Sequence, residues 1–173
     1  MELTGSRIID ASRETVWEAL NDPEVLKACI PGCSELIRNE DGGFSAVATQ
    51  KVGPVKATFK GTVTLTDIVP LESYTISGEG KGGAAGFAKG SAKVKLADVE
   101  GGTELGYDVT ARVGGKLAQI GSRLVDGFAK KLADKFFSNF QLALEGPKEE
   151  KEDEPEAKKK GWLKRLVSKE SKE

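Results

Sequence analysis

Two periodicities meet near residue 115, and their junction decides most of what this chain can fold into. From Val55 onward apolar residues recur at every second position, and from Leu117 to Leu144 they recur at every fourth. Within 54–69, Val55, Ala57, Phe59, Val63 and Leu65 take one face while Lys56, Thr58, Lys60, Thr62 and Thr64 take the other. Leu105, Tyr107, Val109, Ala111 and Val113 likewise oppose Glu104, Asp108, Thr110 and Arg112. This alternation marks antiparallel strands with one face buried and one in water. Beyond it, Ile120, Leu124, Phe128, Leu132, Phe136 and Phe140 form a step-of-four stripe, widened by Val125, Ala129, Ala133 and Phe137. Such a stripe drifts slowly around an α-helix, so its broad apolar face must be covered along the whole length. One long helix over 117–144, lying across a sheet, is the expectation.

The preceding residues complete the layout. Residues 2–9 suit a first strand. Asp10 or Ser12 can cap a short helix carrying Val16, Trp17 and Leu20, and Pro23 opens a second that Pro31-Gly32 ends. A hairpin around Asp41-Gly42-Gly43 follows, then strands over 54–69, from Tyr74, over 84–97 and, after Glu100-Gly101-Gly102, from Leu105. Strand, two short helices, further antiparallel strands and a long terminal helix make an α+β fold: a curved antiparallel sheet of about seven strands around a C-terminal helix.

One stretch tempts a different reading. "GEGKGGAAGFAKG", residues 78–90, holds six glycines, and Gly78, Gly80 and Gly83 fit the dinucleotide fingerprint G-x-G-x-x-G. That fingerprint needs a helix after the glycine turn, to hold the pyrophosphate at its N-terminus. Here Ala92, Val94 and Leu96 alternate with Lys93 and Lys95 as in a strand, and Lys89-Gly90-Ser91 has the wrong order for a P-loop. Counting back by twos from Leu96 reaches Gly90, Ala88 and Gly86, and counting forward from Tyr74 reaches Gly78, Gly80 and Gly82. In that register two neighbouring strands present almost no side-chain volume toward the helix. Either the helix sinks onto a bare sheet or an apolar molecule fills the gap; glycine used only to bend the sheet is the competing account. The cavity expected from the first account is lined by Phe59, Leu65, Gly86, Gly90, Tyr107, Leu124, Phe128 and Leu132.

Composition narrows the chemistry. Histidine is absent, which removes the usual general base and the commonest metal ligand. Cys29 and Cys33 have no further ligands beside them, and packing roles suit them better than zinc or redox chemistry. Asp67 and Asp108 have no visible catalytic partner and read as solvated outward carboxylates. No catalytic residue, metal or covalent cofactor is expected.

Charge divides the chain into three parts. Residues 1–145 carry 17 basic and 19 acidic side chains, 146–157 two and six, and 158–173 seven and two. This suggests a ligand-binding domain over 1–145, a charged disordered linker over 146–160, and a basic amphipathic tail over 161–173. Trp162, Leu163, Leu166 and Val167 would share one helical face, with Lys158, Lys159, Lys160, Lys164 and Arg165 around it. Such a segment suits the anionic surface of a bilayer, each basic residue contributing about 1 kcal/mol. A solvated tail and a docking peptide are the alternatives. Nucleic acid is not expected, because the basic tip offers no base-stacking platform. No apolar stretch approaches the roughly 20 residues of a membrane span and the N-terminus lacks a signal-peptide layout, so a cytoplasmic, peripherally membrane-associated protein is expected.

"VWEALNDPEVLKACIPGCSELI", "KVGPVKATFKGTVTLTDI", "GGAAGFAKGSAKVKL" and "GSRLVDGFAKKLADKFFSNF" together resemble the CoxG family, the G-type accessory subunits of carbon monoxide dehydrogenase. That family belongs to the START-like (SRPBCC) helix-grip superfamily, and the resemblance covers about residues 1–144. It implies a curved sheet gripping a long helix over a hydrophobic cavity. It also implies a non-catalytic accessory role with molybdenum-containing carbon monoxide dehydrogenases or related hydroxylases at the inner leaflet of the cytoplasmic membrane. An isoprenoid quinone, menaquinone or ubiquinone, or another lipid, is the ligand expected with such a partner. A pure membrane tether without a ligand is the second reading, and a START-like enzyme a remote third.

Overall fold

The computed structural model describes residues 1–145. Seven strands form one antiparallel sheet: β1 Glu2–Ile9, β2 Cys33–Arg38, β3 Phe44–Val52, β4 Val55–Val69, β5 Ser73–Lys81, β6 Phe87–Val99 and β7 Gly102–Gly114. Their spatial order is β1-β7-β6-β5-β4-β3-β2. From β2 to β7 each strand pairs with its sequence neighbour, so short hairpins build the sheet, and β1 closes onto β7.

Two short helices separate β1 from β2. The first, α1 (Arg13–Leu20), is capped by the Ser12 side chain, which accepts from the Thr15 amide. Asp22 caps α2 (Pro23–Cys29) by accepting from the Glu24 amide, with Pro23 in the first turn, where its missing N–H costs nothing. Both follow the expectation from sequence.

The terminal helix departs from expectation at its start. The chain forms a single helical turn, α3 (Lys116–Gln119), and only then the 24-residue α4 (Ser122–Glu145). Gly121 between them has φ +100°, a conformation that ends a right-handed helix and that glycine adopts without strain. Leu117 is buried in the small helix rather than on the long one.

The core is concentrated at one end of the sheet. Ile9, Leu105, Val94, Leu96 and Tyr74 meet Val16, Ala19 and Leu20 of α1, Cys29 of α2, and Phe137 and Phe140 of α4. Phe140 is fully buried and stacks on Phe136 with centroids 5.7 Å apart. Only the C-terminal half of α4 takes part in this cluster. Along its length α4 comes close to α2 and β1 and less to β3, and hardly approaches the central strands β5 and β6.

Candidate functional site: an apolar space under the first half of α4

The glycine register holds. Gly78 pairs with Gly90 across β5 and β6, and Gly61 pairs with Gly80 across β4 and β5. Ala88, Ala92 and Ala111 adjoin them on the same face, so the middle of the sheet turns a surface of glycine and alanine toward α4. The N-terminal half of α4 carries Leu124, Phe128 and Leu132, and Leu124 comes within 3.3 Å of where a Cβ at Gly53 would stand, in the turn between β3 and β4. These inward-facing apolar residues are not sealed: Phe59, Val63, Val109, Phe128 and Leu132 are half-buried, and Leu124 is 48% exposed. An ordinary helix–sheet contact would bury them, as the other half of α4 does with Phe137 and Phe140.

The glycines divide by what surrounds them. At Gly90 a Cβ would lie 2.6 Å from the Thr110 carbonyl, and at Gly78 it would lie 2.9 Å from that of Thr62. These two permit close approach of neighbouring strands. At Gly80 a Cβ would meet only the Phe59 Cβ, at 3.8 Å, so the volume above it is open. The run therefore allows close strand approach at Gly78 and Gly90 and leaves space at Gly80.

The expected lining residues do not all reach one place. Leu65 and Tyr107 lie at the border of the core, where Tyr107 stacks on Phe137 at 4.9 Å. Phe59 leans over Gly80 and Gly82, forming a wall of the space. Gly90 belongs to its floor. Gly86 does not: β6 starts at Phe87, and Gly83–Ala85 form a 3-10 turn. Gly86 has φ +111°, donates to the Gly83 carbonyl, and abuts the Gly114 carbonyl. The period-two count fails there because glycines carry no side chain to reveal where a strand ends. Gly82 falls outside β5 for the same reason.

Arg7 is absent from the sequence-based set, although it lies in phase with Leu3, Gly5 and Ile9. Its guanidinium enters from β1, pairs with Asp134 of α4 at 2.6 Å and covers the Phe137 ring at 5.3 Å. Lys130 also reaches Asp134, at 3.3 Å. This group ties α4 to the sheet edge at the boundary between the sealed core and the open half.

The groups with chemical potential are otherwise quiet. Burial pushes the Cys29 thiol and the Tyr74 phenol above their ordinary pKa values, so both stay neutral. Cys33 donates weakly to the Glu35 carbonyl at 3.3 Å. Asp108 accepts from the Thr4 hydroxyl at 2.6 Å on the outer face, and Asp67 is exposed at a bulge in β4. An open groove of about 520 Å³ lies on that outer face between Thr64, Ser77, Glu79, Lys89 and Arg112. Among the described residues no helix is long and apolar enough to cross a membrane. The expected tail residues, Lys158 to Val167, lie outside the described residues.

Residues 5–145 match the model of the CoxG family, the G-type subunits of carbon monoxide dehydrogenase. The chain belongs to that family. Its fold is the helix-grip fold of the SRPBCC superfamily, and solved structures repeat it. A conserved protein from Geobacillus kaustophilus is 34% identical with a TM-score of 0.77, over 83% of this chain and 95% of that one. A protein from Chromobacterium violaceum, 14% identical over 84% and 97% of the two chains, superposes with a TM-score of 0.64. One from Rhizobium leguminosarum, 19% identical over 85% and 95%, also gives 0.64. No functionally curated protein matches the sequence. In the Geobacillus protein the domain alone makes up nearly the whole chain, whereas this CoxG-family chain continues beyond Glu145 to Glu173.

Proposed function

We propose that this protein is a non-catalytic carrier that holds one apolar molecule between the glycine patch and the first half of α4. The ligand is an isoprenoid quinone, menaquinone or ubiquinone, or another membrane lipid. The partner is a molybdenum-containing carbon monoxide dehydrogenase or a related hydroxylase, as the family name suggests. The observations that support this reading are the side-chain-free pairs Gly61–Gly80 and Gly78–Gly90 on the inner face, the open space at Gly80, and the incomplete burial of Phe59, Phe128 and Leu132, with Leu124 48% exposed. An apolar wall left against water is unfavourable, and each methylene a ligand brings into it contributes about 0.8 kcal/mol. An oxidoreductase that must deliver electrons to a membrane chain needs an acceptor that partitions there. A quinone takes two electrons and two protons to become a quinol, and its prenyl tail supplies the apolar mass.

In this reading the basic segment with Trp162 and Leu163 brings the domain to the inner leaflet, and α4 covers the ligand during transfer. The test incubates the full chain with quinone-containing vesicles, re-isolates it, and extracts it with organic solvent for mass spectrometry. Recovery of quinone or lipid supports the carrier. Its absence after loading leaves the tether, in which the chain only recruits the dehydrogenase. A chain ending at residue 145 separates the two further, because a carrier keeps ligand without the tail and a tether has none to keep.

A further inference from the structure

The sheet brings like charges together across its outer face. Lys51 pairs directly with Lys56 between β3 and β4, Lys60 with Lys81 between β4 and β5, and Lys89 with Arg112 between β6 and β7. Directly opposed like charges destabilise a sheet. All six are exposed, and among the described residues the three ion pairs use Arg7, Arg13 and Lys130 instead. The acids in these rows are Glu79, opposite Lys89, and Glu35, which is separated from Lys60 by Val47 of β3.

This charge is also confined to one end of the molecule. It borders the β3–β4 and β5–β6 turns, built from Gly53-Pro54 and Gly82 to Gly86, which carry no charge. The turns at the other end hold Glu40, Asp41, Glu72 and Glu100, and the helices there add Glu14, Glu18 and Glu24. The domain is therefore an electrical dipole, and its basic end is the end where the glycine patch and the first half of α4 leave their apolar space.

We infer that this basic end of the domain itself, independently of residues 146–173, docks on the anionic headgroup surface of a bilayer and turns the open half of the α4 interface toward it. The chemistry favours a lipid surface over a protein or nucleic acid. Lysine, a flexible point charge, suits a diffuse layer of phosphates better than a fixed bidentate partner. The face has hydroxyls and lysines but no cluster of apolar anchors of the kind that dominate protein interfaces. Its one aromatic, Phe87, lies over Gly114 beside Lys81, too isolated to stack a row of bases. The open groove next to Lys89 and Arg112 gives a headgroup room to descend toward the backbone of Gly78 and Gly90.

The test uses the full chain, with vesicles of phosphatidylcholine alone or with a third of phosphatidylglycerol added, and reads co-sedimentation. Lys60→Glu and the double variant K51E/K60E are compared with Lys95→Glu, an exposed outer-face lysine at the acidic end that faces Ser73 and Gly106. At about fivefold per basic charge removed, the double variant should bind phosphatidylglycerol vesicles at least about 25-fold more weakly, and K95E within about twofold of the parent. Both reversals in the double variant turn a like pair into an opposite pair, so its Tm should equal or exceed the parent's. Weaker binding in a chain that is no less stable is a signature a merely structural role cannot give. Unchanged binding by K51E/K60E, an equal loss in K95E, equal binding to neutral vesicles, or displacement by excess inorganic phosphate at constant ionic strength would each overturn the inference.

Discussion

Gly80→Leu gives the sharpest view of the space under α4. At this position a Cβ meets only the Phe59 Cβ, at 3.8 Å, and the backbone is not left-handed, so leucine enters without forcing the sheet. A leucine moved from water into an apolar site stabilises by about 1.5–3 kcal/mol. Replacing glycine inside a strand adds about 0.5–1 kcal/mol, and lost rotamer freedom subtracts a similar amount. Because the surrounding residues remain half-exposed, the lower part of the range applies, and a net gain of about 1–2 kcal/mol is expected. For a chain of this size that raises Tm by about 2–8 °C. The same side chain occupies ligand volume, so quinone retention should fall at least tenfold. Gly106→Leu is the control, since its side chain leaves the opposite face of the sheet into open space and should not alter retention. Thermal denaturation and extraction are read on the same preparations. A loss of more than about 1 kcal/mol in the Gly80 variant would mean that the space is already filled. A gain in stability with ligand retention unchanged would place the ligand elsewhere.

Three further outcomes test the account at other points. Gly90→Leu, which pushes a Cβ to 2.6 Å from the Thr110 carbonyl, should destabilise the sheet, so its effect on ligand cannot be read as volume alone; urea denaturation of G80L and G90L should shift in opposite directions. Phe140→Ala empties the sealed half of the core and should cost about 3–5 kcal/mol, measured by the same method. Burial holds the Tyr74 phenol neutral well above its ordinary pKa of about 10, while the unfolded chain ionises near that value. The Tyr74 contribution to stability should thus be flat below pH 10 and fall as pH rises beyond it, and Tyr74→Phe should make the limb above pH 10 shallower; an unaltered limb would contradict the assignment.

The fold was legible wherever side chains alternate. Val55 to Leu65 and Leu105 to Val113 declare their faces, and the Tyr74 and Leu96 counts brought Gly78 and Gly90 into register because both strands are continuous there. The same count failed at Gly82 and Gly86, where the chain turns through residues with no side chain to mark inside from outside. The break at Gly121 was hidden because Leu117 and Ile120 fit the step-of-four stripe that continues beyond it, while helix continuity depends on one backbone angle. Arg7 is not legible in the sequence because a charge in an apolar phase has no visible partner until Asp134, 127 residues away, comes to meet it. The basic end was harder still. Lys56 and Lys60 are visible on the polar face of β4, but their pairing with Lys51 and Lys81 exists only in the assembled register.

The central claim is that the half-open face between the glycine patch and α4 holds one apolar molecule. Native mass spectrometry of the full chain after incubation with quinone-containing vesicles tests it most directly. The expected spectrum shows a single adduct of quinone mass, one per chain, that is lost in Gly80→Leu and kept in Gly106→Leu. No adduct on the parent chain, or one of equal abundance on the Gly80 variant, would contradict it.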